Sequence, residues 1–248
     1  MTTEQRRAWT RRDWIKAGVL AGAAAGVGAL AGLAVYPTIF PPAGPQPREE
    51  IVYTPFPNAD NWWSGLVGRE VSVADFGEWQ GASAVWRGSF SQGRWVVGTG
   101  YPVLVIRVKR DLANFQAPDN VTLPQGYSLY YDDPARDLRI VTVLDRSTHL
   151  CCYPSWHLVT NPPPGRDYVA YSPAYAVYGQ DPIYDVCHGG QWDPMVLEWG
   201  TNPRTTAAYL GARMVLGPGF GPLPVVPVTT VGDTLLGGMI NATWYDYC

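Results

Sequence analysis

The chain is poor in residues that could bind a metal, with four cysteines and three histidines among its 248 positions. No Cys-x-x-Cys-His motif occurs among them, and this excludes a c-type haem. Basic residues are also few. The whole chain has 18 basic and 21 acidic residues, and positions 1–16 hold five of the basic and two of the acidic ones. The remaining chain therefore has 13 basic and 19 acidic residues, a net charge of −6. Nucleic acid is therefore not expected as a partner, because its binding depends on Lys and Arg contacts to phosphate.

A helical period of useful length is absent after Tyr36. β-Branched runs bounded by Gly, Pro or Asp instead predict buried strands at Trp95–Val97, Pro102–Val108 and Leu138–Leu144. The roughly 200 residues beyond the N-terminal segment are enough for one domain with a sizeable core. The sequence therefore predicts a single all-β, antiparallel domain over residues 51–248.

The N-terminal segment carries twin arginines, Arg11 and Arg12, before an uncharged stretch over 17–36. This pattern resembles the Tat signal that exports folded proteins. Twenty helical residues span roughly 30 Å, the thickness of a hydrocarbon core, so we expect a retained transmembrane helix, with cleavage near Ala31 left open. The arginines keep residues 1–16 in the cytoplasm and the C-terminal domain on the extracytoplasmic side of the cell membrane. The prolines of residues 37–50 predict a stiff linker.

The scarce metal-capable residues are not spread evenly. All three histidines and three of the four cysteines lie between positions 147 and 188. Most fall in two short segments, Ser-Thr-His-Leu-Cys-Cys at 147–152 and Asp-Val-Cys-His-Gly-Gly at 185–190. Random placement would not crowd them in this way, so these two segments are the candidate site.

The two segments resemble the paired loops of the Rieske iron–sulfur family, which read Cys-Thr-His-Leu-Gly-Cys and Cys-Pro-Cys-His-Gly-Ser. The proline-rich stretch over 217–228 is similar to the loop and strand that cover the cluster in that family. The resemblance implies a Rieske-type β domain whose residues 145–195 form a two-loop cluster-binding subdomain. It also implies that His149 and His188 are ligands of a [2Fe–2S] cluster and that Cys152 pairs with Cys187. The two thiolate positions, however, are occupied by Ser147 and Asp185.

The resemblance implies a quinol-oxidising respiratory membrane complex with a cytochrome b-type partner. Because thiolates supply the soft ligation that favours iron–sulfur sites, Ser147 and Asp185 favour a cluster-free structural or docking subunit with no catalytic activity of its own. Two alternatives remain open. One is a [2Fe–2S] subunit of altered ligation that passes electrons from quinol to a cytochrome, and the other is a single metal ion held by His149, His188 and Asp185. The Rieske small subunit of a molybdenum oxidase is a further alternative.

The remaining cysteines and histidine have no assigned role in these loops. In an exported domain cysteines can oxidise, which makes the implied Cys152–Cys187 bridge credible. Cys151 and Cys248 are left over, and the sequence leaves open whether they form a second bridge. His157 is expected to be structural.

Overall fold

The computed structural model describes residues 49–55, 61–91, 94–156 and 170–248. The predicted cytoplasmic segment 1–16, the predicted transmembrane helix 17–36, most of the linker 37–50 and His157 lie outside the described residues. No helix in the described part of the chain has the length and apolar character needed to cross a membrane.

Antiparallel strands are the main regular secondary structure of the described chain. They are β1 (Ile51–Tyr53), β2 (Gly81–Trp86), β3 (Phe90–Ser91), β4 (Arg94–Trp95), β5 (Tyr101–Val108), β6 (Tyr131–Asp133), β7 (Leu138–Leu144), β8 (Ile183–Tyr184), β9 (Gln191–Thr201), β10 (Ala208–Leu216), β11 (Leu223–Pro224), β12 (Val228–Val231) and β13 (Thr234–Gly237). The helical elements are single turns: η1 (Ser64–Leu66), η2 (Val73–Asp75), η3 (Pro134–Arg136), α1 (Pro173–Ala176) and η4 (Ala242–Trp244). The expectation of an all-β, antiparallel domain is confirmed.

A five-stranded sheet in the order β1-β2-β5-β7-β6 forms the base of the domain. Two of its strands, β5 and β7, coincide with the predicted runs at Pro102–Val108 and Leu138–Leu144. Every residue of β7 is buried, which explains why its sequence is almost unbroken in β-branched and aliphatic residues. The prediction of a strand at Trp95–Val97 was wrong beyond Trp95. Val97 is 78% exposed and lies in a turn in which Gly98 has a φ of 87°.

A second sheet in the order β11-β10-β9-β8 packs on the same core. The chain passes between the two sheets after β11, where Val225 donates its N–H to Leu210 and Val226 donates its N–H to Thr142. The hairpin β12–β13 contacts the five-stranded sheet through a bridge between Glu50 and Leu236 at the β1 edge. The described residues all belong to one compact unit.

The topology brings three loops to one end of these sheets. Loop 1 (residues 147–152) follows β7, loop 2 (185–190) connects β8 to β9, and the proline loop (217–222) connects β10 to β11. Because β9 pairs with both β8 and β10, loop 2 and the proline loop leave adjacent strands. The predicted two-loop subdomain over 145–195 is therefore anchored in both sheets.

Asp145 lies between β7 and loop 1 and is a buried acid near this end of the domain. Its side chain is 2% exposed, and its Oδ1 atom has no hydrogen-bond partner in the described part of the chain. Burial raises the pKa of Asp145 from its ordinary value of 3.8 to about 8, against the opposing charge of Arg146. We therefore expect Asp145 to keep its proton at neutral pH in the folded protein.

We predict that Asp145 makes the protein less stable as the pH rises. Between pH 3.8 and about pH 8 the folded state keeps a proton on Asp145 that the unfolded state releases. The contribution of the protonated Asp145 to the free energy of unfolding is therefore fully present only below the pKa of the unfolded state, and it is lost by about pH 8. Urea denaturation at pH 5 and pH 9 should show Asp145→Asn losing less stability than the wild type over this interval, by a few kcal/mol, since one pKa unit is roughly 1.4 kcal/mol. Equal pH dependence in both proteins would contradict the prediction.

Candidate functional site

Loops 1 and 2 have the same backbone hydrogen bonds although their sequences differ. The first residue of each loop donates its N–H to the carbonyl oxygen five positions on, Ser147 to Cys152 and Asp185 to Gly190, both at 2.8 Å. The residue four positions on then donates back, from Cys151 to Ser147 at 3.2 Å and from Gly189 to Asp185 at 2.8 Å. Ser147 and Asp185 therefore hold equivalent places.

The side chains of Ser147 and Asp185 also stabilise their own loops in the same way. The Ser147 hydroxyl accepts the N–H of His149 at 3.3 Å, and Asp185 Oδ1 accepts the N–H of Cys187 at 2.9 Å. Short polar side chains often bond the backbone two residues further along the chain and so shape tight turns. Each of these residues is therefore a structural part of its loop.

A buried hydrogen bond joins the two loops at these positions. Ser147 Oγ donates to Asp185 Oδ2 at 2.8 Å, and both residues are 0% exposed. Because removing either partner would leave a buried polar group unsatisfied, the bond couples the two loops strongly. The pair occupies the two positions that the Rieske resemblance assigns to thiolate ligands.

His149 and His188 lie side by side at the outer surface of the loops. Their ring centroids are 4.9 Å apart, and the ring planes meet at 75°. His188 Nδ1 lies 3.4 Å from Asp185 Oδ2, and the His188 side chain is 29% exposed. The structure therefore brings together all four residues that the sequence assigned to the site, with the imidazoles outside and Ser147 and Asp185 inside.

A disulfide joins Cys152 of loop 1 to Cys187 of loop 2, with their Cα atoms 6.4 Å apart. This pairing, which the resemblance implied, is confirmed. The two loops are therefore held together by one covalent bond and one buried hydrogen bond.

A second disulfide joins Cys151 to the C-terminal residue Cys248, with Cα atoms 5.7 Å apart. The sequence had left this pairing open, since 97 positions separate the two cysteines. Beside it Tyr247 donates its hydroxyl to the carbonyl of Arg146 at 2.7 Å and packs edge-to-face on Phe220. The contacts of Tyr247 with Arg146 and Phe220 were not predicted, although the two left-over cysteines signalled that Cys248 could reach loop 1.

The proline loop seals one side of the site. Thr148 Oγ1 and Trp192 Nε1 both donate to the carbonyl of Gly221, at 2.9 and 3.0 Å. A Cβ atom at Gly217, whose φ is 104°, would lie 2.6 Å from the Cα of Gly190, so this glycine permits a close approach to loop 2. The covering role that the resemblance implied for the proline-rich stretch matches these contacts.

Around the histidines, the three loops expose apolar side chains and no Lys, Arg, Asp or Glu. Leu150, Val186 and Phe220, one from each loop, are 63%, 43% and 38% exposed. The three loops contain no Lys, Arg or Glu, and their one Asp is the buried Asp185. We call Leu150, Val186 and Phe220, together with His149 and His188, the apolar tip.

The donor set does not fit a [2Fe–2S] cluster. The residues at the two thiolate positions offer only oxygen atoms, and Ser147 would have to give up the proton that it donates to Asp185. Hard oxygen donors do not provide the soft thiolate ligation that iron–sulfur sites use. Both remaining sulfur pairs near the loops are disulfides.

A different set of potential ligands does converge in the described part of the chain. Its members are Cys152, Asp185, Cys187 and His188, and one ligand atom from each lies within 4.8 Å of the others. His149 is not a member of this set. The single-metal hypothesis with His149, His188 and Asp185 stays a prediction.

No protein-family model matches the sequence, and a search of curated proteins also finds no match. The Rieske resemblance therefore rests on the sequence motifs alone.

We predict a strong energetic coupling between Ser147 and Asp185. Ser147→Ala should lower the free energy of unfolding by about 1–3 kcal/mol, because it leaves the buried Asp185 carboxylate with one hydrogen bond fewer. In a double-mutant cycle with Asp185→Ala, measured by urea denaturation, the two losses should not add. Additivity within about 0.5 kcal/mol would contradict this prediction. Ser72→Ala is the matched control and should cost less, since the Ser72 hydroxyl accepts a single amide at the surface.

Proposed function

We propose that the protein is a Rieske-type subunit of a quinol-oxidising respiratory membrane complex that carries no cluster and docks against a cytochrome b-type membrane subunit. The observation that carries this proposal is the buried Ser147–Asp185 hydrogen bond. At the two positions of the thiolate ligands, Ser147 and Asp185 instead satisfy each other's hydrogen-bonding groups. The loops keep their arrangement through this bond and the Cys152–Cys187 disulfide, without help from a metal.

The apolar tip supports a docking role. Exposed aliphatic and aromatic side chains that share one end of a domain mark an interaction surface. The rest of the domain is acidic, whereas the three loops that form the tip expose no Lys, Arg, Asp or Glu. Such a surface suits an apolar recess in a membrane subunit better than a charged soluble carrier.

Two disulfides support the proposed location. Disulfides persist in oxidising compartments and are rare in the cytosol. Both bridges lie in the described domain, which the N-terminal sequence pattern assigns to the extracytoplasmic side of the membrane. Together with the twin arginines, they favour export.

One observation favours an electron-carrying alternative. His149 and His188 are neighbours with ring centroids 4.9 Å apart, as two imidazole ligands of one iron would be. An altered [2Fe–2S] centre would then pass electrons from quinol to a cytochrome. Iron content separates this alternative from the cluster-free subunit.

We predict that the purified wild-type protein is colourless, holds no iron and gives no electron paramagnetic resonance signal after reduction. The double variant Ser147→Cys/Asp185→Cys restores sulfur at both ligand positions and should gain iron and such a signal when expressed in cells that build these clusters. The single variant Ser147→Cys, with one sulfur, is the matched control and should remain largely iron-free. A signal from the wild-type protein would overturn the cluster-free proposal in favour of the electron carrier.

We predict that a charge at the apolar tip blocks docking. Affinity purification of the wild-type protein from native membranes should recover b-type haem, detected by its visible spectrum. Leu150→Glu should reduce the recovered haem at least tenfold, because docking would bury its carboxylate in an apolar recess. Leu112→Glu is the matched control, since Leu112 is 76% exposed outside the three loops, and it should leave recovery unchanged. Absence of haem from the wild-type sample would contradict the docking proposal.

A further inference from the structure

The sulfur atoms of the Cys152–Cys187 disulfide lie close to two other potential metal ligands, Asp185 and His188. Cys152, Asp185, Cys187 and His188 each place a ligand atom within 4.8 Å of the others. Two thiolates, one imidazole and one carboxylate would suit zinc, which is bound through sulfur, nitrogen and oxygen in four-coordinate sites. In the oxidised protein the sulfur atoms are bonded to each other and cannot act as thiolates.

The nitrogen and oxygen ligands already have a suitable spacing. His188 Nδ1 and Asp185 Oδ2 are 3.4 Å apart. Two ligands at about 2.0–2.1 Å from a tetrahedral zinc ion are separated by about 3.3–3.4 Å. No movement of the two loops is needed to bring this half of the site together.

The sulfur half requires only a local change. Two thiolates at about 2.3 Å from a tetrahedral zinc ion lie about 3.8 Å apart, roughly 1.7 Å more than the sulfur atoms of a disulfide. Rotation of the two cysteine side chains can supply this separation while the Cα atoms stay near their 6.4 Å spacing. Cys187 and His188 are exposed, so a reductant and a metal ion can both reach the site.

Asp185 is positioned for ligation by its neighbours. The N–H of Cys187 holds Oδ1, and the hydroxyl of Ser147 holds Oδ2. Hydrogen bonds of this kind orient a ligating carboxylate, and their loss weakens metal sites. Ser147 is therefore expected to act as a positioning residue and not as a ligand.

We propose that reduction of the Cys152–Cys187 disulfide creates a Zn²⁺ site with the ligands Cys152, Asp185, Cys187 and His188. A dithiol reductant supplies two electrons and two protons, becomes a disulfide itself and leaves two cysteine thiols. Zn²⁺ then binds both sulfurs as thiolates and displaces the two thiol protons. The domain thus exchanges one cross-link between loops 1 and 2 for another. This inference goes beyond the proposed function and does not depend on it.

Cobalt titration of the full-length protein tests the site, because tetrahedral Co²⁺ bound to thiolates has intense visible and near-ultraviolet absorption bands. The oxidised protein should bind no Co²⁺. The reduced protein should bind one Co²⁺ per chain with these bands, and Zn²⁺ should displace it. Absence of the bands after reduction, or equal binding before and after, would overturn the proposal.

Two histidine variants locate the site. His188→Ala should weaken Co²⁺ binding to the reduced protein at least tenfold, whereas His149→Ala, the matched control on the neighbouring loop, should leave it unchanged. Asp185→Asn should weaken binding as His188→Ala does. Equal effects of the two histidine changes would refute the proposed ligand set. Repeating the His188→Ala and His149→Ala measurements in the Cys151→Ser/Cys248→Ser variant excludes Co²⁺ binding by the thiols of the second disulfide. If this double variant does not fold, the histidine comparison in the wild-type background still decides whether His188 is a ligand.

Discussion

The buried hydrogen bond between Ser147 and Asp185 is the contact on which the two-loop head depends. Each partner begins a loop, accepts a backbone N–H two residues further on and meets the other partner at 2.8 Å with no exposure to solvent. The two loops have the same set of backbone hydrogen bonds, and each has a side-chain acceptor at its first position. A hydroxyl and a carboxylate serve as these acceptors and also bind each other, so the head has a complete polar interior without a metal.

Two disulfides hold the same loops covalently. Cys152–Cys187 joins the two loops, and Cys151–Cys248 ties loop 1 to the end of the chain. Adjacent cysteines thus connect one loop to two distant parts of the sequence. Cys151 has a φ of 62°, matching the φ of 78° at the equivalent Gly189. A non-glycine residue is strained in this conformation, and the backbone hydrogen bond and disulfide at Cys151 hold it there.

The site has an inner half and an outer half of different chemical character. The inner half is polar and sealed, because the proline loop and Trp192 cover it. The outer half combines two imidazoles with apolar side chains and little charge, which is the character of a contact surface. The function that we propose uses the outer half for docking, and the zinc site that we infer uses the side of loop 2 where His188 and Cys187 reach solvent.

The sequence by itself determined the all-β class, the two central strands and the membership of the site. Long β-branched runs encode β5 and β7, since buried strands need such side chains, and the crowding of His and Cys marked both loops. The tertiary structure alone decided that Ser147 and Asp185 bond each other and that Cys151 finds Cys248. It also decided that β4 ends at Trp95 and that Cys152, Cys187, Asp185 and His188 converge, whereas His149 lies outside their set. Apart from the end of β4, these findings depend on contacts between segments distant in sequence, and local composition cannot encode a distance that depends on how two sheets pack.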